Sequence, residues 1–177
     1  MKKNIFLIGF MGAGKSTIAR TLKKTYGMQL IEMDEQIEAE QGMKISEIFA
    51  QKGEEYFRGL ETELLTRLYD RENMVVSCGG GVPMRTCNIE AMRKSGQIVY
   101  LSAEPETIYR RVRASHDRPL LEGNMNVPYI KELMQTRLPK YLEAADVTVA
   151  TDGKTAEKIS EEIMQACRIC PCPVSHG

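Results

Sequence analysis

The octet Gly9-Phe10-Met11-Gly12-Ala13-Gly14-Lys15-Ser16 combines glycines, a lysine and a hydroxyl at a spacing suited to holding a chain of phosphates. It fills every fixed position of G-x-x-x-x-G-K-[ST]. Glycines let the backbone turn so that several N–H groups aim inward at an anion. A helix beginning at Lys15 adds the partial positive charge of its N-terminus. In this reading Gly12, Ala13, Gly14 and Thr17 contact the phosphates, Lys15 reaches the β- and γ-phosphates, and Ser16 ligates Mg²⁺. A chance glycine turn is the competing explanation. The apolar run before the octet and the helical pattern after it argue against chance.

Such a loop serves kinases, GTPases and motor ATPases alike, and two absences narrow the choice. The apolar run Val75-Val76-Ser77-Cys78 has no aspartate to hold Mg²⁺ in the usual way, and no Asn-Lys-x-Asp segment is present to read guanine. Adenine is therefore the expected base. Glu32, or a water held by Ser77, is left to complete the Mg²⁺ contact.

Other residues have the chemistry of an acceptor site. Asp34 follows a strand-like run, where a carboxylate can accept a hydrogen bond from an attacking hydroxyl, although Asp also favours helix N-caps. Arg58 stands at the edge of an apolar stripe with Glu61 three residues on to orient it, and a solvated helix arginine is the alternative. Gly79-Gly80-Gly81 points to close approach of a ligand to the backbone, with a flexible turn before Pro83 as the plainer option. Arg118, in a polar stretch between helices, suits a mobile loop that closes over the transferring phosphoryl. Arg111 ends a helix and suits stacking on adenine, while Arg58 and Arg137 suit bidentate capture of a carboxylate.

Parallel strands must bring these residues together. Strand patterns fall at Ile5–Ile8, Gln29–Met33, Met74–Cys78, Gln97–Leu101 and Asp146–Ala150. Helical patterns cover about Lys15–Tyr26, a start near Asp34, a short piece near Ser46, about Glu54–Tyr69, a start near Glu106, about Pro128–Ala145 broken or bent at Pro139, and Thr155–Cys167. The stretch between Gly81 and Gln97 carries no assigned element. Alternation of this kind implies a parallel sheet covered on both faces, with its ligand site beyond the carboxyl ends of the strands.

The 177 residues suit a single domain, and 24 basic against 24 acidic residues give no signature of nucleic-acid or membrane-surface binding. No apolar run approaches the roughly 18 residues of a spanning helix. The expected setting is the cytoplasm. Five cysteines, an odd number, argue against a disulfide framework. Cys167, Cys170 and Cys172 cluster near His176, but their spacing matches no paired zinc pattern.

Taken in order, Gly9–Ser16, Glu32-Met33-Asp34, Phe57-Arg58 with Glu61, Gly79–Gly81, Arg118-Pro119-Leu120-Leu121, and Arg137 with Tyr141 resemble the motifs of shikimate kinases. The resemblance runs from residue 4 to about 165. It implies a nucleoside-monophosphate-kinase-like three-layer fold with five parallel strands in the order 2-3-1-4-5 and a lid over about 112–124. The implied reaction is transfer of the γ-phosphoryl group of ATP to the 3-hydroxyl of shikimate, with Mg²⁺ as cofactor, in chorismate and aromatic amino acid biosynthesis. The resemblance makes Asp34 the base, Lys15 and Arg118 its catalytic partners, Arg58, Arg137 and Gly79–Gly81 the shikimate site, and Arg111 and Lys154 neighbours of adenine. A monomer is expected, with a disordered tail over about 166–177. One departure is Glu32, where the family pattern has Asp. The rival functions are another small-molecule kinase, for gluconate or a nucleotide, and a nucleotide-binding regulatory module without catalysis.

Overall fold

The computed structural model describes residues 4–114 and 126–169. At its centre lies strand β1 (Asn4–Ile8), buried along its whole length. Successive side chains of a strand point to opposite faces, so a run buried throughout needs cover on both sides. On one flank β1 pairs in parallel with β3 (Met74–Ser77), and β3 with β2 (Gln29–Glu32). On the other flank it pairs with β4 (Gly96–Ser102), and β4 with β5 (Val147–Ala150). The order is β2-β3-β1-β4-β5, as the resemblance implied. Ser77 lies in register with both Leu7 and Glu32, so β1, β2 and β3 end at one level. The chain leaves that edge at Gly9, Met33 and Cys78, which brings the expected site residues to a common rim.

Eight α-helices complete the described residues: α1 (Lys15–Tyr26), α2 (Met33–Gln41), α3 (Ile45–Lys52), α4 (Glu54–Arg67), α5 (Thr86–Ser95), α6 (Pro105–Arg113), α7 (Val127–Ala144) and α8 (Ala156–Ala166). Helix α1 buries Ile18, Ala19 and Leu22 on one face. It stops at Gly27, whose positive φ of 69° lets its N–H reach back to the Lys23 carbonyl. Helix α8 starts under the side chain of Thr155, which accepts from the Lys158 N–H, and buries Ile159, Ile163 and Met164.

Two elements depart from the sequence reading. A 3₁₀ turn (Val82–Met84) and α5 occupy the stretch left unassigned. The buried face of α5 is Asn88, Ile89 and Met92, so a polar residue interrupts the apolar period that would have announced the helix. Helix α7 does not break at Pro139. Proline removes the N–H that would bond the Gln135 carbonyl, but Gln135 and Pro139 are both exposed, where water can take that carbonyl. Of the expected lid, Val112 and Arg113 form the last turn of α6, while Arg118 lies outside the described residues. Cys167 is buried against the core, whereas Cys170, Cys172 and His176 also lie outside them.

Candidate active site

The phosphate loop is held open from both sides. Gly12 has φ +77°, and a Cβ there would sit 2.9 Å from Val112 Cγ2, so no other residue fits without displacement. Lys15 spans the mouth of the loop, its Nζ donating to the carbonyls of Gly9 at 2.7 Å and Phe10 at 3.1 Å. Arg111 braces the outside. Its Nη1 donates to the carbonyls of Gly12 and Ala13 and to Thr151 Oγ1 at 3.1–3.2 Å, tying the loop to the end of β5. Thr17 lies exposed on the first turn of α1. Lys154 pairs with Glu162 at 2.8 Å, just beyond β5.

Beside the loop, Ser16 Oγ donates to Glu32 Oε2 at 3.0 Å and lies 3.5 Å from Ser77 Oγ. The second Glu32 oxygen, Oε1, is buried with no hydrogen-bond partner among the described residues. A hydroxyl next to an unsatisfied carboxylate oxygen is a donor set for a hard cation, so the residues present fit Mg²⁺. No cluster of three or more His, Cys, Asp or Glu side chains suited to a metal occurs among the described residues. A cation held by Ser16 and Glu32 would have to take its remaining ligands from phosphate and water.

Across the rim, charged side chains converge on the three glycines. A Cβ at Gly79 would lie 2.9 Å from Glu61 Oε1 and 3.0 Å from Asp34 Oδ1. One at Gly80 would lie 2.9 Å from Arg137 Nη1, and one at Gly81 would overlap the Arg58 guanidinium. The three glycines thus make room for four charged groups, two of them at Gly79. Asp34 stands in the first turn of α2, but the N-cap is Glu32 and no side chain caps this helix, so the capping role is not the one Asp34 plays. Arg58 is not a solvated helix arginine either. Its side chain is 17% exposed and donates to Glu61 at 2.9 Å and Glu54 at 3.2 Å. Burial pushes the Glu61 carboxyl up and Asp34 adds to this, while Arg58 and Arg85 oppose it, leaving it at about 7. From α7, Tyr141 donates its hydroxyl to the Gly80 carbonyl at 2.8 Å, and the Arg137 guanidinium lies 5.7 Å from the Phe10 ring centroid. Burial raises the Tyr141 hydroxyl, and Arg137 partly offsets this.

Two contributors were absent from the sequence reading. Phe10 fills an unspecified position of the loop motif, and its use as a platform for Arg137 depends on where α7 packs. Thr151 anchors Arg111 from 40 residues away, and no local pattern marks it.

A parallel sheet in this order, with a triphosphate cradle at its centre and arginines gathered over a glycine floor beside it, defines a phosphate-loop kinase acting on a small anionic acceptor. Comparison with known proteins specifies the kinase. Residues 11–168 match the shikimate kinase family model. A shikimate kinase of Dehalococcoides mccartyi is 40% identical over 167 residues, 94% of each chain. That of Persephonella marina is 39% identical over 166 residues, 94% of this chain and 99% of its own. The shikimate kinase of Acinetobacter baumannii, solved in complex with shikimate, superposes with a TM-score of 0.85 at 34% identity, covering 92% of this chain and 91% of that one. The chain belongs to the shikimate kinase family. Its activity is that of an ATP-dependent shikimate kinase, serving aromatic amino acid biosynthesis.

Proposed function

We propose that ATP lies along Gly12–Thr17 with Lys15 at its β- and γ-phosphates, and that shikimate lies over Gly79–Gly81. Its carboxylate sits between Arg58 and Arg137, and its 3-hydroxyl faces Asp34. The observation that carries this reading is the approach of Asp34, Arg58 and Arg137 to one glycine run from three separate helices. Two arginines suit a carboxylate, and a carboxylate at a helix N-terminus suits a hydroxyl.

Asp34 accepts the hydrogen bond of the 3-hydroxyl, aims the oxygen at the γ-phosphorus and receives the proton as the new O–P bond forms. The bond to the β-phosphate oxygen breaks, leaving ADP and shikimate 3-phosphate. Lys15 stabilises charge on the phosphates throughout, and Arg118, which lies outside the described residues, is assigned the charge of the phosphoryl in transit. Ser16 and Glu32 would hold Mg²⁺, which would supply positive charge to neutralise the phosphates. Arg111 and Lys154 border the adenine. The enzyme works as a cytoplasmic monomer. Among the described residues no helix is long and apolar enough to cross a membrane.

An ADP-release assay across shikimate, gluconate and nucleoside monophosphates tests the acceptor. Turnover is expected with shikimate. Turnover with gluconate and none with shikimate would overturn the reading, and tight ATP binding with no acceptor phosphorylated would favour a regulatory module. Asp34→Asn should keep ATP affinity and lower kcat by roughly 10²-fold. An unchanged kcat removes Asp34 from the base role.

A further inference from the structure

Glu61 is the buried acidic side chain of the described residues, at 1% exposure. Its two oxygens differ. Oε2 accepts from Arg58 Nη1 at 2.9 Å, while Oε1 is buried with no hydrogen-bond partner among the described residues. Oε1 and Asp34 Oδ1 border the same spot above Gly79. The groups acting on Glu61 come from several elements: Arg58 on α4, Asp34 on α2, and Arg85 at the start of α5, itself paired with Glu55 at 2.6 Å. Burial keeps the Cys78 thiol, just past β3, far above its ordinary range; Lys15 opposes this, and Glu61 and Asp34 add to it. Arg58 is the main group keeping Glu61 charged.

The acceptor's carboxylate must share that same guanidinium. It brings a second negative charge to Arg58 and weakens the hold of Arg58 on Glu61. A buried carboxylate that loses its counter-ion neutralises itself by taking a proton. We propose that Glu61 takes up a proton from solvent when the acceptor's carboxylate engages Arg58, so that acceptor binding near neutral pH is coupled to protonation of this side chain. The carboxylate adds one negative charge and the proton one positive charge, so the site keeps its net charge. The new O–H bond gives Glu61 a donor beside Asp34, the group proposed to face the 3-hydroxyl. Glu61 acts here as a positioning residue, and the inference rests on Arg58 being the carboxylate site.

Calorimetric titration of the full chain with shikimate, without nucleotide, tests this in PIPES and in Tris, buffers of different ionisation enthalpy. At pH ~7.5 the buffer dependence should show uptake of roughly half a proton per shikimate bound. At pH ~5.5, in MES and Bis-Tris in place of the first pair, Glu61 carries its proton in both states and uptake should nearly vanish. Glu61→Gln should still bind shikimate and show no uptake at either pH. Equal heats in the two buffers at the higher pH, or unchanged uptake in Glu61→Gln, overturn the proposal. Absence of saturable shikimate binding is a different result: it overturns the acceptor assignment itself, and the inference with it.

Discussion

The proposed nucleotide side and the proposed acceptor side of this rim are built by different means. The nucleotide side is one contiguous segment whose shape is a backbone conformation, braced by Lys15 and Arg111 bonding to main-chain carbonyls. The acceptor side takes side chains from α2, α4 and α7 and packs them onto a floor without side chains. It also buries an acid, Glu61, against an arginine. One half is therefore set by local chemistry and the other by tertiary assembly. If that division is real, substitutions on each side should act mainly on one ligand.

The largest effect is expected from Lys15→Ala. Removing the one lysine aimed across the loop should lower kcat/KM for ATP by roughly 10³-fold, the upper range for losing a preorganised charge donor. Shikimate binding measured without nucleotide should stay within about twofold, since a nucleotide-side change should not reach the carboxylate contacts. A matching loss of shikimate affinity would break the division.

Next comes Arg58→Ala, which should raise the KM for shikimate by roughly 10- to 100-fold, the scale of charge-assisted hydrogen bonds. The KM for ATP should barely move. Steady-state kinetics with each substrate varied in turn decides it, and equal losses for both would contradict the assignment.

The same division explains what the sequence could show. Gly9–Ser16 was legible because its function depends on spacing within eight residues. The parallel sheet was legible from alternating apolar runs, and its strand order came from the resemblance. Glu61 was visible as a neighbour of Arg58, but its burial and its meeting with Asp34 over Gly79 depend on how α4 docks beside α2. The three glycines were readable as a place of close approach. That together they make room for four charged side chains was not, because those side chains come from positions 34, 58, 61 and 137. Helix α5 stayed hidden because Asn88 sits on its buried face, with Nδ2 donating to the Val82 carbonyl at 2.9 Å and Oδ1 accepting from Thr62 at 2.8 Å.

Glu61→Gln tests what the acceptor side loses in stability by burying an acid. The folded carboxyl titrates at about 7, against 4.5 as its ordinary value. Between those values the folded chain binds more protons than the unfolded one, so this group's contribution falls as pH rises through the interval. At about 1.4 kcal/mol per pH unit the whole loss is roughly 3–4 kcal/mol, and about 2–3 kcal/mol of it falls between pH ~5 and pH ~8. Urea unfolding of both proteins at pH ~5 and ~8 should show Glu61→Gln gaining on the parent by that amount. A parallel pH dependence of the two would mean that Glu61 is not held against its ionisation.

The smallest effect is expected from Tyr141→Phe. The ring stacks on Tyr100 at a centroid distance of 5.2 Å, and phenylalanine keeps that contact. The bond from the hydroxyl to the Gly80 carbonyl is lost, a net cost of about 0.5–1.5 kcal/mol, together with the hydroxyl's hydrogen bond with Arg137. The glycine run has other ties, from the Val82 N–H to the Gly79 carbonyl and from the Met84 N–H to the Gly81 carbonyl, both at 3.1 Å, so it should loosen rather than collapse. The Gly80 backbone passes directly under Arg137, so loosening it should disturb one of the two arginines proposed for the carboxylate. The KM for shikimate should rise about two- to fivefold, a range below the full cost of the bond because the remaining ties absorb part of it. The KM for ATP should not change, because Tyr141 bonds to Gly80 and not to the phosphate loop. A rise in the ATP value instead would show that the glycine floor also supports the nucleotide side, through the Gly9 carbonyl that lies 3.7 Å from where a Gly80 side chain would begin.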